Sequence, residues 1–82
     1  MPTVTRMSKK RPTLTEAKRV IGGYIQMITL SNGDQLLCDE DGKSKGLSVN
    51  VQATALADDV LSPNDVIVGD VLVLRGDARW VD

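Results

Sequence analysis

The first regular pattern along the 82-residue chain predicts a short amphipathic helix that begins after Thr13. Thr13 and Glu16 are three residues apart, which is the spacing of two side chains that cap the first turn of a helix. Gly22-Gly23 ends the pattern, because glycine readily adopts the left-handed conformation that closes a helix. The apolar residues that fall on one face predict the buried side, and they are Leu14, Ala17 and Ile21.

A β-hairpin is predicted directly after this helix. The segment Tyr24–Leu30 is rich in β-branched and aromatic residues, which favours a strand. Asn32-Gly33 is the dipeptide most typical of a tight hairpin turn. Gln35–Cys38 is then predicted to return as the partner strand.

The second half of the chain predicts another short helix and a final strand. Asn50 is suited to cap a helix over residues 51–57. The run Val66–Leu74 is nearly continuous in Val, Ile and Leu, which is typical of a strand buried on both faces, and Gly69-Asp70 predicts a β-bulge within it. The order helix–strand–strand–helix–strand therefore predicts an α+β fold, with a small antiparallel sheet of three to four strands and two short helices.

The N-terminal residues show no such pattern. Residues 1–12 are polar and basic and end at Pro12, so we expect a flexible basic arm there. Residues 13–82 are then a single domain, because a chain of this length is too short for two.

Charge is distributed unevenly along the chain. Residues 1–21 contain six basic residues and one acidic residue, whereas residues 22–82 contain four basic and ten acidic residues. An acidic body repels nucleic acid and a basic arm attracts it, so nucleic acid is not the partner we expect first.

The composition argues against catalysis. The chain has no histidine, which removes imidazole bases and histidine-based metal sites, and we expect neither a metal nor another cofactor. Its single cysteine, Cys38, has no partner for an intrachain disulfide. Tyr24 and Trp80 are the only aromatic residues, too few for the stacking platforms of single-strand nucleic-acid binding. We therefore expect a protein that is not an enzyme.

Sequence features also bear on location. The longest apolar runs are far below the roughly 18 residues of a membrane span. The basic N-terminus is not followed by the apolar stretch of a secretory signal. Because an unpaired thiol is typical of a reducing compartment, we expect the chain to act in the cytoplasm.

Three groups of residues are candidates for ligand binding, and each has a structural alternative. Gly22 and Gly23 either connect helix and strand or offer free amides to phosphate or carbonyl oxygens. Gly69-Asp70 either forms a bulge or presents a carboxylate to a ribose hydroxyl. Asn50 and Thr54, four residues apart on one helix face, either cap and pack or contact the edge of a base.

Four blocks of sequence occur in a recognisable order, and they are Val20–Gln26 (VIGGYIQ), Asp39–Leu47 (DEDGKSKGL), Asn50–Ala55 (NVQATA) and Ile67–Val73 (IVGDVLV). Over residues 13–75 they resemble DUF3846, a domain of unknown function in small proteins of phages, plasmids and bacteria. Gln26 replaces a frequent Glu of that family, and Asp39 a common Asn. The resemblance implies an accessory protein of a mobile element in the host cytoplasm, and it adds Tyr24 and Gln26 to the candidate residues.

These observations leave three functions open. The first is a protein that binds and sequesters a small nucleotide-type signalling molecule of the host without converting it. The second is an inhibitor or adaptor that docks a host enzyme through a sheet edge or an apolar patch. The third is a DNA-associated regulator that uses the basic arm. In each case a core this small favours homo-oligomerisation.

Overall fold

A computed structural model describes residues 3–81 of the chain. In chain order its elements are β1 (Thr5–Ser8), α1 (Leu14–Ile21), β2 (Ile25–Thr29), β3 (Gln35–Asp39), α2 (Val51–Leu56), β4 (Val71–Leu74) and a 3-10 turn (Gly76–Ala78). The predicted α+β class with two short helices is confirmed. Within the described residues, no helix has the length and apolar character needed to span a bilayer.

The four strands form one mixed sheet in the order β1-β4-β3-β2. Strands β2, β3 and β4 are antiparallel neighbours, but β1 runs parallel to β4. The prediction of a wholly antiparallel sheet is therefore wrong, as is the prediction that a helix is the first element.

Strand β1 also corrects the expectation of a flexible arm over residues 1–12. Thr5–Ser8 pairs with Val71–Leu74 along its whole length. Two side chains from distant parts of the chain fix its start: the Asp70 carboxylate accepts from the Val4 amide at 2.9 Å, and Asn50 Oδ1 accepts from the Thr5 hydroxyl at 3.1 Å. The segment is basic and short, and it is ordered by partners more than 40 residues away.

Helix α1 begins and ends as its sequence predicts. Thr13 and Glu16 form a reciprocal capping box at its N-terminus. Gly22 closes the helix in the left-handed conformation, with φ of +88°. Ala17 and Ile21 are buried against the sheet, whereas Leu14 is exposed.

The predicted hairpin is confirmed, with β2 and β3 joined through Asn32-Gly33. The predicted final strand is shorter than its apolar run. Gly69 has φ of +79°, so the chain turns there, and β4 begins only at Val71. Val68 instead makes an isolated bridge to Val49, and the bulge predicted at Gly69-Asp70 is a break between two segments.

The central strands β3 and β4 divide the core into two layers. Helix α1 covers one face, where Ala17 and Ile21 pack with Leu37, Leu72 and Leu74. Helix α2 covers the other face, where Ala53 and Ala57 pack with a second group, which includes Leu36, Cys38, Val71 and Val73. Because alternate residues of one strand point to opposite faces, both cores use the same two strands.

Candidate functional site

The eight residues predicted to bind a ligand lie in three separate places. Gly22, Gly23 and Tyr24 form the connection between α1 and β2. Gln26 lies on the edge strand β2 and lines a cavity on the α2 face of the sheet. The remaining four, Asn50, Thr54, Gly69 and Asp70, surround the contact between α2 and the segment before β4.

The buried side chain of Asn50 forms its hydrogen bonds with other parts of the protein. It is 1% exposed, and its side-chain oxygen accepts from the Ala53 amide, which caps α2, and from the Thr5 hydroxyl. Its side-chain nitrogen donates to the Gly69 carbonyl at 3.0 Å. These three bonds tie β1, α2 and the segment before β4 together and leave little capacity for a base edge.

Thr54 has a similar structural role. Its hydroxyl donates to the Asn50 carbonyl at 2.8 Å and accepts from the Ile67 amide at 2.9 Å. Ile67 lies before β4, outside the hydrogen-bonded part of the sheet, and the Thr54 hydroxyl provides the acceptor that its backbone amide needs.

Gly69 and Asp70 also have contacts within the molecule. A Cβ atom on Gly69 would lie 2.8 Å from Leu47 Cδ1, the end of a flexible side chain, so the φ of +79° is the main reason for glycine at this position. One oxygen of the Asp70 carboxylate accepts from the Val4 amide. Both residues therefore join the segment before β4 to its neighbours.

The connection between α1 and β2 contains a close ion pair. Lys45 Nζ lies 2.7 Å from the Asp39 carboxylate, whose side chain is 2% exposed. A Cβ atom on Gly23 would lie 2.6 Å from Lys45 Nζ, so the glycine makes room for the pair. The hydrogen bond from Lys45 holds the pKa of Asp39 below its usual range. Tyr24 next to it is 66% exposed.

The cavity that Gln26 lines has a volume of about 300 Å³. We call it the sheet-face cavity. Its floor is formed by β2 and β3, and its walls are the loops after β3 and before β4. Lys43 from the first loop and Asp65 from the second form an ion pair across it, which holds the pKa of Asp65 below its usual range.

The lining of the sheet-face cavity is more acidic than basic. Glu40 and Asp65 contribute carboxylates and Lys43 contributes an ammonium group, whereas the Asp39 carboxylate pairs with Lys45 beside Gly23. Cys38 also lies there, but burial raises the pKa of its thiol to about 11, so the nucleophilic thiolate is scarce at neutral pH. Such a lining suits neutral or cationic groups, and hydrogen bonding rather than proton transfer.

Lys43 and Asp65 are not among the residues predicted from the sequence to bind a ligand. They are 22 residues apart in two polar loops, and each looks like an ordinary solvent-exposed charge. The one sequence signal for either residue is that Lys43 lies within the second family-like block, Asp39–Leu47. Between residues 3 and 81, no group of three potential metal-binding side chains lies close enough to hold a metal ion.

Strand β2 has an open edge. The bonds from the Glu40 amide to the Tyr24 carbonyl and from the Leu30 amide to the Asp34 carbonyl continue the β2–β3 ladder at its two ends. In this register the amide and carbonyl groups of Gln26 and Ile28 bond to β3, because alternate residues of a strand bond to the same neighbour. The backbone groups of the other three residues, Ile25, Met27 and Thr29, point outward, and no strand within residues 3–81 pairs with them.

Comparison with known proteins identifies a family and nothing closer. No curated protein and no solved structure matches the chain. The model of the domain of unknown function DUF3846 matches residues 1–81, and so extends past the resemblance over residues 13–75 to include β1 and the Trp80 segment. The chain therefore belongs to the DUF3846 family.

Proposed function

We propose that this protein binds without catalysis, and that it docks an extended segment of a host protein along the outer edge of β2. The observation that carries the proposal is the open edge of Ile25–Thr29 beside the sheet-face cavity. An added strand gains main-chain hydrogen bonds from such an edge, and a neighbouring pocket selects its side chains.

The composition of β2 supports this use of the edge. Edge strands are normally protected from pairing by charged residues, proline or bulges. Ile25–Thr29 contains no charged residue and no proline, and it pairs with β3 in regular register. Met27 at its centre is 46% exposed, which adds an apolar contact to the edge.

The sheet-face cavity adds a preference for the bound segment. Gln26 and Ile28 of β2 also line the cavity. Every second side chain of a strand added to β2 would therefore lie beside the cavity. Its carboxylates, Glu40 and Asp65, favour a lysine, an arginine or a neutral hydrogen-bond donor at that position. The mobile-element setting that the family resemblance implies supports a host protein as the source.

Site-specific photo-cross-linking tests this proposal. A photo-reactive amino acid replaces Met27 in one variant and Val60, which is 42% exposed in the turn after α2, in the control. We expect one host protein to be cross-linked at position 27 and not at position 60. Equal cross-linking at both positions, or none at position 27, would contradict the proposal.

Hydrogen exchange on the purified complex then tests the binding mode. Docking along the edge slows exchange at the amides of Ile25, Met27 and Thr29, which point outward in the free protein. The amides of Gln26 and Ile28 already bond to β3 and serve as the internal control. Unchanged exchange at the three outward amides would show that the partner binds elsewhere.

Capture of a small nucleotide-type molecule is the second candidate function. The specific observation in its favour is the volume of the sheet-face cavity, about 300 Å³, because small-molecule sites begin at roughly that size. Lys43, Ser44 and Gln26 supply hydrogen-bond donors there. The excess of carboxylates opposes a phosphate inside the cavity, so the geometry supports this function less than strand docking.

Calorimetry with cyclic dinucleotides and ADP-ribose derivatives separates the two functions. Capture predicts saturable binding that Lys43→Gln weakens. Lys10→Gln, in the connection between β1 and α1 and outside the cavity lining, should leave this binding unchanged. The ligand is recovered intact after denaturation. Absence of binding by every compound would remove this candidate and leave strand docking unaffected.

A further inference from the structure

The basic residues of this chain fall into two groups that differ in their partners. Three of the four basic residues after residue 40 form ion pairs: Lys43 with Asp65, Lys45 with Asp39 and Arg75 with Asp34. None of the six basic residues between positions 6 and 19 forms an ion pair with another described residue, and all six are exposed. These six are Arg6, Lys9, Lys10, Arg11, Lys18 and Arg19.

The fold places these six residues on β1, on α1 and in the connection between the two. Strand β1 is the sheet edge next to β4, and α1 covers the adjacent sheet face. Arg6 of β1 and Val20 of α1 line the same surface pocket, so the two elements are neighbours. We call the surface formed by the six side chains the basic face.

Little acidic charge offsets the basic face. Glu16 is the only acidic residue in the first 21 positions, and its carboxylate accepts from the Thr13 amide at the start of α1. Two further carboxylates adjoin the basic face, since Asp70 lines the pocket that Arg6 and Val20 share and Asp41 lines a pocket with Lys18. Glu40, Asp58, Asp59 and Asp65 belong to the loops after β3 and after α2, and α2 lies on the opposite face of the sheet. The net charge of −1 therefore conceals a strongly positive side.

We propose that the basic face binds the phosphate backbone of a nucleic-acid duplex without reading its sequence. The chemistry that carries this is an array of ammonium and guanidinium groups without ion pairs, each able to replace a condensed counterion on a phosphate. Two of them also have contacts within the protein, because Arg11 Nε donates to the Arg79 carbonyl and Lys18 lies over the ring of Tyr24. Isolated exposed ion pairs with a protein contribute little, whereas counterion release makes several phosphate contacts strongly favourable together. The acidic residues after α2, on the opposite face of the sheet, then orient the molecule, because a polyanion repels them.

This inference revises the expectation from sequence that nucleic acid is a secondary partner. In the sequence the positive charge lay on an apparently flexible arm beside an acidic body. In the structure Arg6 is part of the sheet, and the arm and α1 form a single surface. The proposal does not depend on the open edge of β2.

Fluorescence anisotropy with a labelled duplex of about 20 base pairs tests the proposal, with DNA and RNA duplexes as separate arms. Four to six phosphate contacts predict that log K falls with log salt at a slope between about −3.6 and −5.4. Binding of both duplexes indicates recognition of phosphate alone, and binding of one indicates recognition of its helical geometry as well. A slope near zero, or no binding to either duplex, would overturn the proposal.

Charge reversal at two matched positions supplies the control. Lys10→Glu on the basic face and Arg75→Glu, at a residue that lines a pocket with Leu56 of α2, change the net charge equally, and both side chains are exposed. We expect Lys10→Glu to weaken duplex binding about tenfold and to reduce the slope by about one, and Arg75→Glu to change affinity less than about twofold. If both substitutions weakened duplex binding equally, the affinity would depend on the net charge of the protein and not on the basic face.

The same protein must also be studied without nucleic acid. Sedimentation at low and high salt distinguishes the proposed partner from a second copy of this chain that binds the basic face through its acidic loops. Salt-sensitive self-association that Lys10→Glu abolishes would assign the basic face to a second copy and overturn the proposal. Deletion of residues 1–12 is unsuitable as a test, because it also removes β1.

Discussion

A structural role and a ligand-binding role of Asn50 predict opposite effects of its substitution on stability. Its three hydrogen bonds are all buried or partly buried within the protein. Asn50→Ala removes a helix cap and leaves the Gly69 carbonyl without its donor. We expect the free energy of unfolding to fall by about 3 kcal/mol in urea titrations without any ligand.

Thr15→Ala is the control for this substitution, because Thr15 is exposed on α1. Its effect should stay within about 0.5 kcal/mol. If Asn50→Ala were equally neutral, the side chain would be free to serve a ligand, as its position in the sequence first indicated.

The ion pair of Asp39 and Lys45 makes stability depend on pH. Lys45 lowers the pKa of Asp39 in the folded protein, so the pair stabilises the fold above the unfolded-state pKa of about 3.9. That contribution disappears as the pH falls through the lower folded-state pKa. We expect Lys45→Gln to be less stable than the wild type at pH 7, with the difference narrowing below about pH 4.

Urea titrations at pH 7 and below about pH 4 measure this difference in stability. Lys10→Gln is the matched control, since Lys10 forms no ion pair with another residue in positions 3–81. Its difference from the wild type should not vary with pH. A Lys45→Gln difference that is constant with pH would show that Asp39 is not stabilised by its neighbour.

At the scale of elements, β1 can be tested by placing proline at two adjacent positions. The Val71 amide donates to the Val4 carbonyl, so the parallel register directs the Arg6 amide toward β4 and the Met7 amide outward. We expect Arg6→Pro to lower the melting temperature by several degrees and Met7→Pro to lower it much less. A flexible arm would tolerate both equally.

The elements that could be predicted from the sequence are those stabilised by near neighbours. Thr13 and Glu16 cap α1 from three residues apart, and Asn32-Gly33 joins two adjacent strands. Strand β1 has no such local signal, since Thr5 and Val4 are held by Asn50 and Asp70. Sequence periodicity does not report contacts at that separation.

The same reason limits what could be predicted of the site. The cap at Asn50 was predicted because it is local, whereas its bonds to Gly69 and Thr5 were not. The polar residues of the family-like blocks hold distant segments of backbone together. The ion-paired residues that line the sheet-face cavity, Lys43 and Asp65, come from two loops that only the fold brings into contact.

At the scale of the whole molecule, the sheet explains how so small a chain can present two separate surfaces to the partners that we propose. Strands β3 and β4 are buried on both faces, so the interior is concentrated on two strands. The outer strands then remain available at their edges: β1 adjoins the basic face, and β2 carries the open edge. The two surfaces approach each other at one corner, where Lys18 lies over the ring of Tyr24, directly before β2.

The open edge of β2 also predicts how the protein associates with itself. Two copies that pair antiparallel about Met27 satisfy each other's outward backbone groups and extend the sheet to twice its width. We expect sedimentation equilibrium to show dimers that increase with protein concentration. Met27→Lys places two ammonium groups close together across the two-fold axis, so this variant should remain monomeric.

Val60→Lys adds the same charge at a similarly exposed apolar residue outside β2, and it should dimerise as the wild type does. Because the dimer and the docked host segment use the same backbone groups, an excess of the cross-linked partner's peptide should dissociate the dimer. A Met27→Lys variant that dimerises normally would place self-association on another surface. It would also leave the β2 edge free for the host segment at every protein concentration.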